Sequence, residues 1–434
     1  MTFSLRHIAI LALVLALTAI AVLAAALLRS DSSDEDGPIA ILDISGNELL
    51  ARGEYLAIAG NCASCHTTAT GEFMAGGVAF ETPFGTLYST NITPDADTGI
   101  GNWSDRDFLN AMRHGVRPDN EQLYPAFPYT AYTRISNEDI AAIYAYIQSI
   151  PPVNQTAPEN ELSFPFSIRP LMAFWKAIFF EQGVLEPNDE RSEEWNRGAY
   201  LAEGLAHCSA CHTPRNGFGA EINELHMSGG EYLDRVRTGE HRPWSAPNLT
   251  STERGLGLWT QQELEDYLRT ARNDFLESFG PMNQVIMNST RFLSDSDINA
   301  MAVYLKSLPA IDEALVRPGA EAPDPQLMGR GRSVYNLHCG TCHLPAGEGD
   351  PEMAPRLNAG SLVVQSSNPA SMINAILYGP ETPGHPLPPR WREPMEEFQY
   401  LLDDEEIAAV ATYIRNSWDN AAGVVTPAQV ARQR

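Results

Sequence analysis

Only six cysteines occur in the 434 residues, too few for the disulfide frameworks that staple small secreted domains. Positive charge is scarce as well: Lys and Arg total 29 against 55 Asp and Glu, a formal net charge of −26. Nucleic acid needs a basic surface to neutralise its phosphates, so it is excluded as a partner. An acidic surface can instead be steered toward a basic face on another protein. The sequence carries no Ser/His/Asp signature, no phosphate-cradling glycine loop and no additional metal cluster, which argues against hydrolysis and nucleotide chemistry. Long apolar runs are missing too, with one exception.

That exception is IAILALVLALTAIAVLAAALL, from Ile8 to Leu28, uncharged and almost wholly apolar. Its 21 residues, rising about 1.5 Å each, match a hydrocarbon core of about 30 Å. Arg6 and His7 precede it and the acidic DSSDED of 31–36 follows, so the positive flank stays inside and the rest of the chain lies outside. Ala24–Ala26 would suit a signal-peptide cleavage site. The apolar core is long for a signal, and the expectation is a retained anchor over 8–28 that holds the chain on the periplasmic side of the inner membrane.

What the chain does have is repetition. C-x-x-C-H occurs three times, as Cys62/Cys65/His66, Cys208/Cys211/His212 and Cys339/Cys342/His343, and uses every cysteine. RGEYLA (52–57), RGAYLA (197–202) and GRSVY (331–335) precede the three motifs, each reading as a helix that leads into its motif. NITPDADTGIGNWSDRDF (91–108) and NLTSTERGLGLWTQQEL (248–264) share a Gly-rich loop, a Trp and a Ser or Thr that caps the next helix. Each unit closes with a similar helix: SNEDIAAIYAYIQSIP (136–151), SDSDINAMAVYLKSLP (294–309) and DDEEIAAVATYIRNSW (403–418). Acids fill the first turn, where the helix dipole favours them, and apolar residues recur at helical spacing. The reading is one all-α unit present three times.

A structural zinc site needs four ligands, and no second Cys pair completes any of these trios. A thioredoxin-like dithiol has no use for the His and sits in a βαβ pattern, absent here. Covalent haem uses every element. The two thiols, one helical turn apart, add to the two vinyl groups of one porphyrin, and the following His reaches the iron as proximal ligand. Three haem c groups are expected, on Cys62, Cys65, Cys208, Cys211, Cys339 and Cys342, with His66, His212 and His343 as axial ligands.

A low-spin electron-transfer haem needs a sixth ligand, commonly Met on a loop before the closing helix. Met282, after a Gly-Pro turn, is the candidate for the second unit, with Met287 as rival. Met395, after Pro394, is the candidate for the third, with Met353 as an alternative nearer its motif. In LYPAFPY (123–129) of the first unit, Phe127 stands where a Met would be expected, and Phe cannot coordinate iron. His114 and Met112 are the nearest candidates there. Met112 shares a helical face with Phe108 and Leu109, whereas His114 ends the helix beside Gly115. His207 and His338 read as haem-periphery residues, and His226, His241 and His385 as solvent-facing loop residues.

Taken together, TPFGTLYSTNITPDADTGIG, LYPAFPYTAY, WNRGAYLAEGLAHCSACHTPRN and WSAPNLTSTERGLGLW resemble the membrane-associated triheme cytochrome c subunits of bacterial periplasmic dehydrogenases. That family includes the cytochrome subunits of alcohol, gluconate, aldehyde and nicotinate dehydrogenases. The resemblance runs from about residue 45 to 418. It implies three tandem cytochrome c-like domains behind the anchor, at about 45–152, 190–310 and 325–420. It also implies electron transfer from a separate quinoprotein, flavoprotein or molybdenum catalytic subunit to ubiquinone or a terminal oxidase, with no catalysis by this chain alone. Some members hold the membrane through C-terminal amphipathic segments, but the tail NAAGVVTPAQVARQR (420–434) is too polar for that. The connector FPFSIRPLMAFWKAIFFEQG (164–183) is rich in Phe and Trp and suits either a membrane or partner surface, or a helix packed between haem domains. The alternative of another class is a peroxidase-like reductase with an open first haem.

Overall fold

Residues 46–236, 239–311, 322–350, 353–380 and 395–434 are described by a computed structural model. The run 8–28 and His385 lie outside the described residues, among which no helix is long and apolar enough to cross a membrane. The chain groups into two compact units. One takes in the residues up to Leu56, Ala69–Ala79 and Pro83–Glu186; the other holds Ala57–Thr68, Phe80–Thr82 and Pro187–Arg434. The first C-x-x-C-H motif therefore belongs to the second unit.

A pair of helices recurs three times. The lead-in helices are Gly46–Ala59, Glu193–Ala199 and Pro325–His338; the closing helices are Asn137–Ser149, Asp295–Lys306 and Asp404–Arg415. In the second repeat a π-turn at Tyr200–Leu205 prolongs the lead-in helix. Each lead-in helix sets a glycine against its partner's backbone. A Cβ on Gly53 would collide with the Ala142 carbonyl and Tyr146 Cβ; one on Gly198 with Ala300 and Tyr304; one on Gly331 with Ala409 and Tyr413. Only the missing side chain lets the axes approach this closely.

The closing helices begin as their sequences require. Ser136, Ser294 and Asp403 accept from the backbone N–H of Asp139, Asp297 and Glu406, satisfying donors a helix start leaves open. Asp139 and Asp297 then take the lead-in arginine: Arg52 Nε donates to Asp139 Oδ1 at 2.8 Å, and Arg197 Nε and Nη2 to Asp297 at 2.8 and 2.7 Å. In the third repeat Glu406 instead accepts from the Asp403 backbone N–H at 3.0 Å, completing a capping box.

One position near the C-terminus of each closing helix ties the repeat together. Gln148 Nε2 donates to Ile100 O at 3.0 Å, and Lys306 Nζ to Leu256 O at 2.6 Å and to Trp259 O. Arg415 Nη1 donates to Val364 O and Ser366 O, each at 2.9 Å. The Gly-rich loops of the first two repeats open on matching turns, with Asn91 Oδ1 accepting from Thr93 N at 2.9 Å and Asn248 Oδ1 from Thr250 N at 2.7 Å. They lead into the helices Asp105–His114 and Gln261–Thr270, each started by a capping box, Ser104/Asp107 and Thr260/Glu263.

The fold is mostly helical but not purely so. Gly85–Thr86 pairs with Glu161–Leu162, and Gly230–Arg235 pairs antiparallel with His241–Ala246 over six residue pairs. Pro243, whose missing N–H marks an edge position, and the charges of this hairpin hid its strand character. His241 therefore begins a strand rather than lying in a loop.

Candidate functional site

The three motifs sit on single helical turns, Cys62–His66, Ser209–His212 and Gly340–His343. Left-handed residues precede the first two, Asn61 at φ 53° and His207 at φ 39°, which turns the chain sharply out of the lead-in helix. No disulfide joins any of the six cysteines. Burial pushes Cys62, Cys208 and Cys339 up to about 12, and Cys65 and Cys211 to about 11. Thioether formation adds S–H across a vinyl C=C, so a neutral thiol is the form that balances that reaction.

The histidines carry the sharper geometry. His212 Nδ1 donates to Pro247 O at 2.7 Å, and His343 Nδ1 to Pro355 O at 2.8 Å. A carbonyl can only accept, so the proton sits on Nδ1 and Nε2 keeps its lone pair, the arrangement of a metal-ligating imidazole. Both rings are buried, and burial lowers their pKa, keeping them neutral at pH 7. His66 closes its own helical turn and is partly exposed.

On the candidate distal side, Met282 lies in the first turn of the helix Pro281–Asn288, after Gly280 at φ 60°, and is half-buried. Its rival Met287 is buried, and its sulfur accepts from Arg291 Nη1 at 3.6 Å. Met395 is half-buried against the core of the third repeat, which includes Ile376, Leu377, Phe398 and Ile407; Met353 is 41% exposed. Met112 is buried beside Phe108 and Leu109. His114 Nδ1 donates to Gln182 Oε1 at 2.9 Å, which leaves its lone pair on Nε2.

Other polar groups bear on whether a porphyrin fits. Trp244 Nε1 is buried without an acceptor among the described residues. An indole can only donate, so it calls for an acceptor, and a haem propionate is of that kind. Trp244 is three residues before the carbonyl that accepts from His212, and its ring lies where a Cβ on Gly280, two residues before Met282, would stand 2.6 Å away. A buried indole without an acceptor, beside the turn that leads into Met282, suits a haem. Sequence reasoning missed Trp244, although a Trp beside the acceptor-only Pro247 was the available signal.

The first motif is built into the second unit. Asn288 Nδ2 donates to Ser64 Oγ at 2.8 Å, and Ser289 Oγ to Ala59 O at 3.2 Å. Cys211 is close enough to Cys65 to raise its pKa beyond the effect of burial, and both cysteines raise that of Tyr232, which burial already holds well above its ordinary value. His207 is lowered chiefly by burial, so it is enclosed and neutral. His226, expected to face solvent, is instead half-buried, its Nε2 on Glu203 Oε1 at 2.9 Å; the same oxygen accepts from Tyr304 Oη at 2.5 Å.

Comparison with known proteins agrees with this geometry. The cytochrome c family profile matches residues 50–151 and 328–418. The chain is similar to the fructose dehydrogenase cytochrome subunit of Gluconobacter japonicus, 36% identical over 89% of this chain and 82% of that protein. It is also similar to the gluconate 2-dehydrogenase cytochrome c subunit of Pantoea cypripedii, 38% identical over 90% of this chain and 91% of that one. One of the subunits of nicotinate dehydrogenase from Pseudomonas putida is 42% identical over 85% of this chain, but the match spans only 30% of that longer protein. The peroxidase-like alternative gains nothing from these relatives.

Proposed function

The chain belongs to the cytochrome c subunits of multi-subunit dehydrogenases, and from that premise we propose that it carries three covalent haems c in three tandem domains, at about 45–152, 190–310 and 325–420. The observation that carries this reading is the threefold coincidence of a C-x-x-C-H turn with one helix pair, Gly53 on Ala142, Gly198 on Ala300 and Gly331 on Ala409. Each haem, when bound, supplies a one-electron ferric/ferrous couple. The chain's own residues do the rest. Cys62, Cys65, Cys208, Cys211, Cys339 and Cys342 tether the porphyrins. His66, His212 and His343 present Nε2 to the irons, the last two held by their Nδ1–H bonds to Pro247 and Pro355.

Met282 is the sixth ligand of the second haem, supported by the engagement of Met287 with Arg291; Met395 serves the third. For the first, His114 and Met112 are the candidates in the chain; both lie in the first unit and His66 in the second. The chain takes electrons from a separate catalytic subunit of quinoprotein, flavoprotein or molybdenum type and passes them to ubiquinone or a terminal oxidase. The hydrogen bonds of Asn288 to Ser64 and of Ser289 to Ala59, which join the first motif to the second repeat, support transfer between the first two haems. The run 8–28 anchors the chain in the inner membrane, with its haem domains in the periplasm.

A pyridine haemochrome assay on the purified full chain is expected to give three haems, none extractable by acid acetone. Cys208→Ala with Cys211→Ala should give two and interrupt electron transfer. A wild-type value of two would refute the threefold reading.

A further inference from the structure

Between Glu161 and Glu181 runs a stretch of the connector with no acidic residue, LSFPFSIRPLMAFWKAIFF (162–180), in a chain holding 55 Asp and Glu. It belongs wholly to the first unit. Its two cations are engaged with neighbouring segments. Arg169 lies 3.5 Å from Glu121 and over the Tyr124 ring at 5.0 Å. Lys176 Nζ donates to His114 O at 2.7 Å, Gly115 O at 2.6 Å and Gln122 Oε1 at 2.8 Å. Ala173 and Trp175 are buried. With these anchors turned inward, the exposed side chains are Phe164 at 81% exposure, Ile178 at 67%, Ile168 at 41% and Leu171 at 37%, with Pro165, Ser167, Pro170 and Ala177 between them.

We propose that this outward face, from Phe164 to Ile178, rests in the interfacial layer of the lipid bilayer as a second membrane contact beside the anchor. The proposal rests on the reading of 8–28 as a retained anchor. Only 17 residues, 29–45, separate that run from the first described helix. Fully extended they reach at most about 60 Å, while a body of this size is roughly 35–40 Å across. The first unit is thus held within about one or two of its own diameters of the bilayer. The exposed side chains decide the occupant. Apart from the hydroxyls of Ser163 and Ser167 they are aliphatic or Phe and carry no charge to give a protein partner register, whereas a bilayer asks for apolar depth and accepts hydroxyls in its interfacial layer. An acidic chain is also repelled by an anionic leaflet, so contact there needs a face free of carboxylates, as 162–180 is.

The test uses the full haem-loaded chain reconstituted in vesicles of phosphatidylethanolamine and phosphatidylglycerol doped with a phospholipid carrying a photoactivatable acyl chain. After photolysis, peptides are mapped by mass spectrometry. Adducts are expected both within 8–28 and within 164–178. Phe164→Glu with Ile178→Glu should cut the connector adducts at least about fivefold while leaving haem content and the 8–28 adducts unchanged. Labelled 8–28 with an unlabelled connector would overturn the proposal and leave the anchor standing. Connector adducts without 8–28 adducts would refute the anchor and support the second contact on its own. Hydrogen exchange over 164–178 that slows on adding the co-purified catalytic subunit, without lipid, would overturn it in favour of a protein partner.

Discussion

At the scale of single residues, function turns on which atom keeps a lone pair. His212 and His343 were legible as candidate ligands from C-x-x-C-H alone, but their tautomer was not, because Pro247 and Pro355 lie 35 and 12 residues away. Met282 was preferred to Met287 in sequence for its place after a Gly-Pro turn, and one contact adds to that preference: Arg291 on the Met287 sulfur. Met282→Ala is therefore expected to convert one haem from low to high spin in the EPR spectrum and to remove its sulfur-to-iron charge-transfer band. Met287→Leu should leave both signals in place; the reverse result would exchange the two roles. Arg415 illustrates a structural residue of the same kind. It is 1% exposed and donates to Val364, Ser366 and Ala422 carbonyls. Arg415→Leu leaves those acceptors unpaired, at about 1–3 kcal/mol for each buried group not rescued by water. The expectation is thermal unfolding at clearly lower temperature with the full haem count retained in what still folds.

Among the elements, those that were legible obey local rules. The closing helices start where Ser136, Ser294 and Asp403 cap them, and the loop helices where Ser104 and Thr260 do, because capping is decided within four residues. The hairpin 230–246 was not legible, since its side chains do not alternate cleanly and its stability comes from outside. Ser245 N–H donates to Ser371 Oγ at 2.8 Å, 126 residues away. The connector helix Met172–Phe179 was ambiguous for the same reason: what fixes it is Lys176, buried on carbonyls from another segment. Burial pulls the Lys176 pKa down to about 7. Between about pH 7 and 10 the unfolded chain then binds a proton that the folded chain has shed, so stability rises with pH across that window. Below pH 7 both states are protonated and the contribution is flat. Lys176→Met should remove this slope, read as the pH dependence of hydrogen-exchange protection over 172–179. A slope of equal size in the variant would show that Lys176 is not its source.

For the whole molecule, the repeat predicts three equal modules, yet the first motif compacts with the second unit. Nothing local announces this. Ser64 and Asn288, which hydrogen-bond, are 224 residues apart, and only the folded chain puts the Cys62–His66 turn against the helix that bears Met282. The Cys62–His66 turn is thus held by hydrogen bonds within the unit that carries the second motif. Redox centres attached there cannot titrate independently. Reducing one removes a unit of positive charge beside the other and makes its reduction harder. A unit charge acting over about 10–20 Å at an effective dielectric near 20 is worth about 0.8–1.7 kcal/mol, or about 35–70 mV for one electron. A potentiometric titration of the full chain should accordingly show a broadened pair of waves. Removing the second haem with Cys208→Ala and Cys211→Ala should sharpen the first haem to a simple one-electron curve and move its midpoint by about that amount. Met282→His serves as the check that keeps all three haems in place. By lowering the potential of the second haem it should shift the overlap of the two waves and with it the shape of the first. Titration curves that fit three independent centres in every variant would show that proximity of the motifs does not couple the haems.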